Sequence, residues 1–127
     1  MAHENSNISR ELTSSERVLI EWLAANLTVE VDIPLSELKE LSVASECRCG
    51  CASIDFAVSG SPVSPRGGIT VIADYLYRSE HENQMGCFLF MANGHIAGVE
   101  VWSVDGAETP IRLPAPSELY SYESAGR

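Results

Sequence analysis

The sequence predicts an α+β domain: two N-terminal helices packed on a four- to five-stranded, mainly antiparallel meander sheet. Three observations carry that expectation. Helix signals, a capping box and then a proline-opened apolar repeat, fill the chain up to Leu41. From Ser42 the apolar period changes from helical to alternating. Asn93-Gly94 then stands between two apolar runs, the strongest short hairpin signal and the mark of a type I′ turn.

Residues 1–10 are polar and are expected to be disordered, so that 11–127 form the single domain. Thr13-Ser14-Ser15-Glu16 is a capping box, in which Thr13 accepts from a first-turn amide and Glu16 reaches back. The helix it opens runs to about Asn26. Val18, Leu19, Trp22 and Leu23 make its apolar stripe, with Trp22 as a core anchor. Thr28 to Ile33 alternates valines with acids and reads as a short strand. Pro34 opens a second helix, with Leu35, Leu38 and Leu41 at three-residue spacing. Ala52 to Val58 alternates as a half-buried strand, and Ser59 to Gly68 is a loop by composition. Gly68 to Tyr77 is the next strand, with Ile69, Val71, Ala73 and Tyr75 on one face. Gly86 to Met91 is apolar on both faces and predicts a central strand, returned by the Asn-Gly turn into His95 to Val104. Pro110, Pro114 and Pro116 break the tail before a short helix at Ser117 to Tyr122.

Composition narrows the function. The chain has 127 residues, enough for one domain that buries a core without staples. Its net charge is -10, from 18 acids against seven arginines and the single lysine Lys39. Such a surface coats a phosphate backbone or an anionic membrane poorly, so neither nucleic acid nor membrane is expected as a partner. Acidity favours encounter with a basic protein instead. Met1 to Arg10 lacks the apolar core of a signal peptide, and the longest strongly apolar run, Cys87 to Ala92, is too short to span a bilayer. A cytoplasmic address is expected, where four cysteines read as thiols or ligands and not as a disulfide framework.

Cys47-Arg48-Cys49-Gly50-Cys51 packs three of those cysteines into five residues. On an extended strand alternate residues point the same way, so the sulfurs can converge on one face and suit Zn²⁺, Cu⁺ or a redox pair. A structural zinc needs a fourth ligand, for which Cys87, His81 and His95 are the candidates. Against metal binding, paired Cys-x-x-Cys knuckles are absent, and Gly50 reads as a turn that sends side chains apart. Small thiols at a tight turn explain the same residues, and Cys87, among Phe88, Leu89 and Phe90, reads as an inert core thiol.

A second candidate site is the polar face of the sheet. Asp55, Asp74 and Glu100 each interrupt an apolar strand, and Glu100 shares its face with Trp102. Aligned, they form a carboxylate patch for a partner's arginines, with Trp102 as an aromatic anchor, or simply the solvent side of a one-sided sheet. His81 lies between two glutamates and His95 follows the hairpin turn. No Ser-His-Asp order, phosphate loop or dinucleotide fingerprint occurs.

Cys49-Gly50-Cys51-Ala52-Ser53-Ile54-Asp55-Phe56, an Asn-Gly hairpin and then Val99-Glu100-Val101-Trp102 together resemble a group of small uncharacterised bacterial proteins. That group carries a Cys-Gly-Cys-x-Ser/Thr-x-Asp core and a later Leu-Glu-Val-Tyr-like strand before a proline-containing tail. The likeness covers Val43 to Pro116, departs mildly at Val99 and Trp102, and implies a shared fold without an activity.

The leading functional expectation is a non-enzymatic bacterial binding protein, in its concrete form an immunity or antitoxin-like protein that occludes a basic toxin domain through Asp55, Asp74, Glu100 and Trp102. The alternative is a zinc- or thiol-based protein using Cys47, Cys49 and Cys51, with Cys87 as a further ligand. An enzyme using the sheet carboxylates is the third, without a visible nucleophile–base pair behind it.

Overall fold

The computed structural model describes residues 5–125. Its elements are strand β1 (Asn5–Arg10), helix α1 (Ser14–Ala25), a 3-10 helix (Leu35–Glu40), and strands β2 (Leu41–Cys47), β3 (Ile54–Val58) and β4 (Ser61–Pro62). Strands β5 (Thr70–Arg78), β6 (Gln84–Ala92) and β7 (His95–Ser103) follow, then a 3-10 turn (Pro116–Glu118) and helix α2 (Tyr122–Ala125). All pairings are antiparallel, in one seven-stranded sheet of order β1-β2-β3-β7-β6-β5 with β4 beside β3.

The fold class is therefore the expected mixture of helix and antiparallel sheet, but with seven strands in place of four to five. The strands form two sequential antiparallel runs, β1-β2-β3 and β5-β6-β7, and the sheet departs from a single meander where β3 pairs with β7. Residues Asn5–Arg10, within the terminus expected to be disordered, pair with β2 as an edge strand, and 1–4 lie outside the described residues. The second expected helix is a 3-10 helix, and its leucine spacing explains why. Leu35, Leu38 and Leu41 recur every three residues, the repeat of a 3-10 turn and not of the 3.6-residue α-helix. Leu41 itself already belongs to β2. The strand expected at Thr28 to Ile33 is absent. Val29 and Val31 stay exposed, and one backbone bond, Thr28 N–H to the Ile72 carbonyl (2.9 Å), ties the segment to β5.

α1 forms as the sequence dictates. The Thr13 hydroxyl accepts from the Glu16 amide (3.1 Å), and the Glu16 carboxylate accepts from the Thr13 amide (2.8 Å). Leu19, Ile20, Leu23 and Ala24 are buried against Val43, Ile54, Phe56, Ile72, Leu89 and Val99. Trp22 sits at the helix edge, edge-on to Tyr75 (5.1 Å between ring centroids), whose hydroxyl donates to the Asn26 carbonyl (2.7 Å).

The other sheet face carries a smaller apolar cluster of Val63, Phe90, Ala92 and Ala97, to which α1 contributes nothing. Two close approaches shape this face. The Trp102 indole lies over Gly86, and the Phe90 ring over Gly98, so that a Cβ at either glycine would stand within 3 Å of ring atoms. Single extra residues, Ala44 on β2, Ile72 on β5 and Ala97 on β7, shift the register against their partners. Such bulges bend a sheet and re-aim its side chains. That is why Val71 and Ala73, expected on one face of β5, do not share it: Val71 pairs with Phe90 and Ala73 with Leu89.

β3 meets β7 at only two residue pairs, Ile54 with Val99 and Asp55 with Gly98. The Ser53 hydroxyl extends that seam, accepting from the Val101 amide (3.0 Å) and donating to the Val101 carbonyl (3.3 Å).

Candidate metal centre

The cysteine cluster occupies the connection from β2 to β3. β2 ends at Cys47, where the chain turns: the Gly50 amide donates back to the Cys47 carbonyl (3.5 Å) and Gly50 takes a φ of +94°, open to glycine at little cost. The turn closes with the Cys47 amide on the Ser53 carbonyl (3.4 Å), and Ala52 N–H donates to Pro110 in the tail (2.8 Å). The result places the sulfurs of Cys47, Cys49 and Cys51 all within 4.8 Å of one another. Convergence thus comes from the turn, not from strand alternation, and Gly50 gathers the side chains where the sequence alone allowed that it would scatter them. A tetrahedral zinc with Zn–S bonds of about 2.3 Å holds its sulfurs about 3.8 Å apart, so small side-chain rotations suffice to close the set on an ion.

The three thiols are electrostatically unequal. Burial pushes the Cys47 thiol up to about 12, assisted by hydrogen bonding to Cys49 and by Cys51. Cys49 moves the other way, below its ordinary value, because the Cys47 thiol donates to it and its burial is slight; the Cys51 amide also donates to its sulfur (3.4 Å). Cys49, whose thiol is lowered, is also the exposed one.

Cys47 and Cys51 line a cleft of about 830 Å³ that runs between the start of α1, the end of β2 and the tail around Ile111. The carboxylates that line it are already engaged, Glu118 by Arg112 at 2.8 and 3.1 Å. Arg10 holds Glu16 through two bonds of 2.8 Å and Glu46 through bonds of 3.1 and 3.2 Å. Burial raises Glu16, but the Arg10 guanidinium and the Thr13 amide outweigh it and hold the carboxyl below the usual range. Sequence reading missed this clamp because Arg10 lies in the segment taken as disordered; its signal was an arginine six residues before a capping-box glutamate.

Cys87 is not brought to the cluster. It is fully buried on β6 in the core beneath α1, and burial pushes its thiol up to about 12, with Asp74 adding to the effect. The other candidate ligands are elsewhere as well: His95 Nδ1 meets the Glu37 carboxylate at 2.6 Å, and His81 borders a separate small pocket.

The register puts the second candidate set on the face away from α1. Asp74, Phe88 and Glu100 form one row across β5, β6 and β7, Trp102 pairs with Gly86, and Asp55 pairs with Gly98 on the same side. The carboxylates do not touch. Phe88 stands between Asp74 and Glu100, two strand spacings or about 10 Å apart. Asp55 accepts from the Ser45 hydroxyl (2.9 Å), and Asp74, raised by burial, accepts from the Tyr122 hydroxyl (3.2 Å). Widely spaced, individually bonded acids make no general acid–base pair, and Trp102 is half-buried over its glycine.

No protein-family model matches the chain, and comparison with curated proteins and with solved structures finds no match. Among the described residues no helix is long and apolar enough to cross a membrane.

Proposed function

We propose that the chain is a thiol-based metal-binding protein whose site is Cys47, Cys49 and Cys51. One observation supports this reading above others: three sulfurs within 4.8 Å of one another, held on a five-residue turn at the lip of a cleft. Three thiols at that spacing are a ready ligand set for Zn²⁺ or Cu⁺, whereas inert structural thiols need no such gathering. The test is metal analysis of protein purified under reducing conditions, beside Cys49→Ser. Wild type is expected to hold one equivalent of metal, lost in the variant together with a fall in melting temperature. Equal metal content in both would sink the reading.

A second reading is a cytoplasmic bacterial protein that binds a basic protein partner, such as the toxin domain an immunity protein occludes. It is supported by the net charge of -10 and by the common face of Asp55, Asp74, Glu100 and Trp102. Glu100→Lys is expected to weaken capture of such a partner and to reduce its salt dependence without unfolding the domain. Unchanged affinity would remove this face from the interface.

A further inference from the structure

We infer that the Cys47–Cys49–Cys51 site takes a soft ion in a three-coordinate, all-sulfur shell, such as trivalent arsenic or Cu⁺, in preference to four-coordinate Zn²⁺. The inference rests on the metal-binding reading above and specifies which ions that site accepts.

The ligand count is the first ground. Among the described residues, the group of side chains within reach of a common ion consists of these three cysteines. A fourth protein donor would have to come from the cleft wall, whose acids are Glu118, held by Arg112 at 2.8 and 3.1 Å, and the pair Glu16 and Glu46. The latter two are clamped by Arg10 at 2.8 to 3.2 Å, and freeing either would break the link between β1, α1 and β2. Cys87, the fourth thiol, is sealed in the core. Structural zinc sites are closed by four protein ligands, and this one supplies three.

Loop geometry is the second ground. All three donors lie within five consecutive residues and form one triangular face, which cannot enclose an ion tetrahedrally. Two of the three donors, Cys47 and Cys51, line the open cleft. An ion content with a trigonal or pyramidal arrangement of sulfur is satisfied by that triangle alone. A tetrahedral ion would have to complete its shell with water. Softness points the same way, since thiolates without nitrogen or oxygen partners select the softest ions.

The chemistry balances without a redox step. Arsenous acid condenses with three thiols to form three As–S bonds, breaking three As–O bonds and releasing three waters, with arsenic trivalent throughout. Cu⁺ binds as the three thiols release their protons to solvent, giving a copper trithiolate that carries two net negative charges, with copper monovalent throughout.

The test uses the full-length protein, reduced with a phosphine and not with a competing thiol, titrated separately with arsenite, Cu⁺ as its acetonitrile complex, and Zn²⁺. Native mass spectrometry reads stoichiometry and a thiol reagent counts the cysteines left free. The expected result is a 1:1 adduct with arsenite or Cu⁺ that removes three thiols, leaves Cys87, and persists against equimolar Zn²⁺. Cys47→Ser, Cys49→Ser and Cys51→Ser should each weaken it by about tenfold or more, while Cys87→Ser should not. Circular dichroism of each variant confirms that the fold survives. If Zn²⁺ displaces both soft ions, three-coordinate selectivity is overturned while the metal reading stands. If arsenite and Cu⁺ bind Cys47→Ser as tightly as wild type, the site is a dithiol and the inference falls. If no ion binds the reduced protein, both readings fall together.

Discussion

Gly86 and Gly98 show how much a missing Cβ decides. Both lie on the central strands and both are covered by an aromatic ring, yet their surroundings differ in stiffness. At Gly98 an added Cβ would stand 2.6 Å from Phe90 and 2.7 Å from the Ile54 carbonyl oxygen, which belongs to the backbone of the β3–β7 seam. At Gly86 the three nearest atoms all belong to the Trp102 ring, the first at 2.2 Å, and a half-buried ring has somewhere to go. Gly98→Ala is therefore expected to cost about 1–3 kcal/mol, as overpacking of a tight core does. Gly86→Ala should cost less and should shift the Trp102 fluorescence. Denaturant unfolding of the two variants checks this, and equal losses would mean that the indole is as fixed as the backbone.

At the scale of elements, α1 depends on Glu16 more than on any other polar side chain. That carboxylate closes the capping box and receives Arg10 from β1, so it joins a helix end to a sheet edge. Glu16→Gln should cost about 1–2 kcal/mol, the usual range for losing a cap together with a charge-assisted bond. The pH dependence has a definite sign. Because the folded state holds this carboxyl below its ordinary value of 4.5, its contribution is complete above that pH and fades as acid protonates the folded form. Wild type should lose stability below about pH 4.5 more steeply than Glu16→Gln. Parallel acid-unfolding curves would contradict that. α1 and the β6–β7 hairpin were legible in the sequence because their signals are local: a capping box, an apolar stripe and an Asn-Gly turn. β1 and β2 were not. β1 is polar and owes its existence to a partner edge far along the chain, while β2 carries a buried serine, Ser45, that bonds Asp55 on the face away from α1. The cysteine turn was half legible, since spacing announced the cluster but only the Cys47–Gly50 turn decides that the sulfurs meet.

The whole molecule is two antiparallel sets, β1-β2-β3 and β7-β6-β5, joined along a seam of two residue pairs. With so short a ladder, the Ser53 hydroxyl that both donates to and accepts from Val101 carries much of the union. Ser53→Ala leaves the buried Val101 amide without that partner and should destabilise the protein by about 1–3 kcal/mol. A loss below a few tenths, measured by urea unfolding, would show that water replaces the hydroxyl. The acidic surface adds a general effect: at a net charge of -10, moderate salt should raise the melting temperature by screening self-repulsion.

Ser53 also closes the turn that bears the cysteines, since its carbonyl receives the Cys47 amide while its hydroxyl holds Val101. One residue thus belongs to the thiol loop and to the joint between the two halves of the sheet. Transient opening of that joint, the event that lets the Val101 amide exchange with solvent, must loosen the loop as well. Whatever draws the three sulfurs together would therefore slow deuterium uptake on a strand that contributes no ligand, and thermodynamic reciprocity requires that a tighter joint hold its ion more firmly.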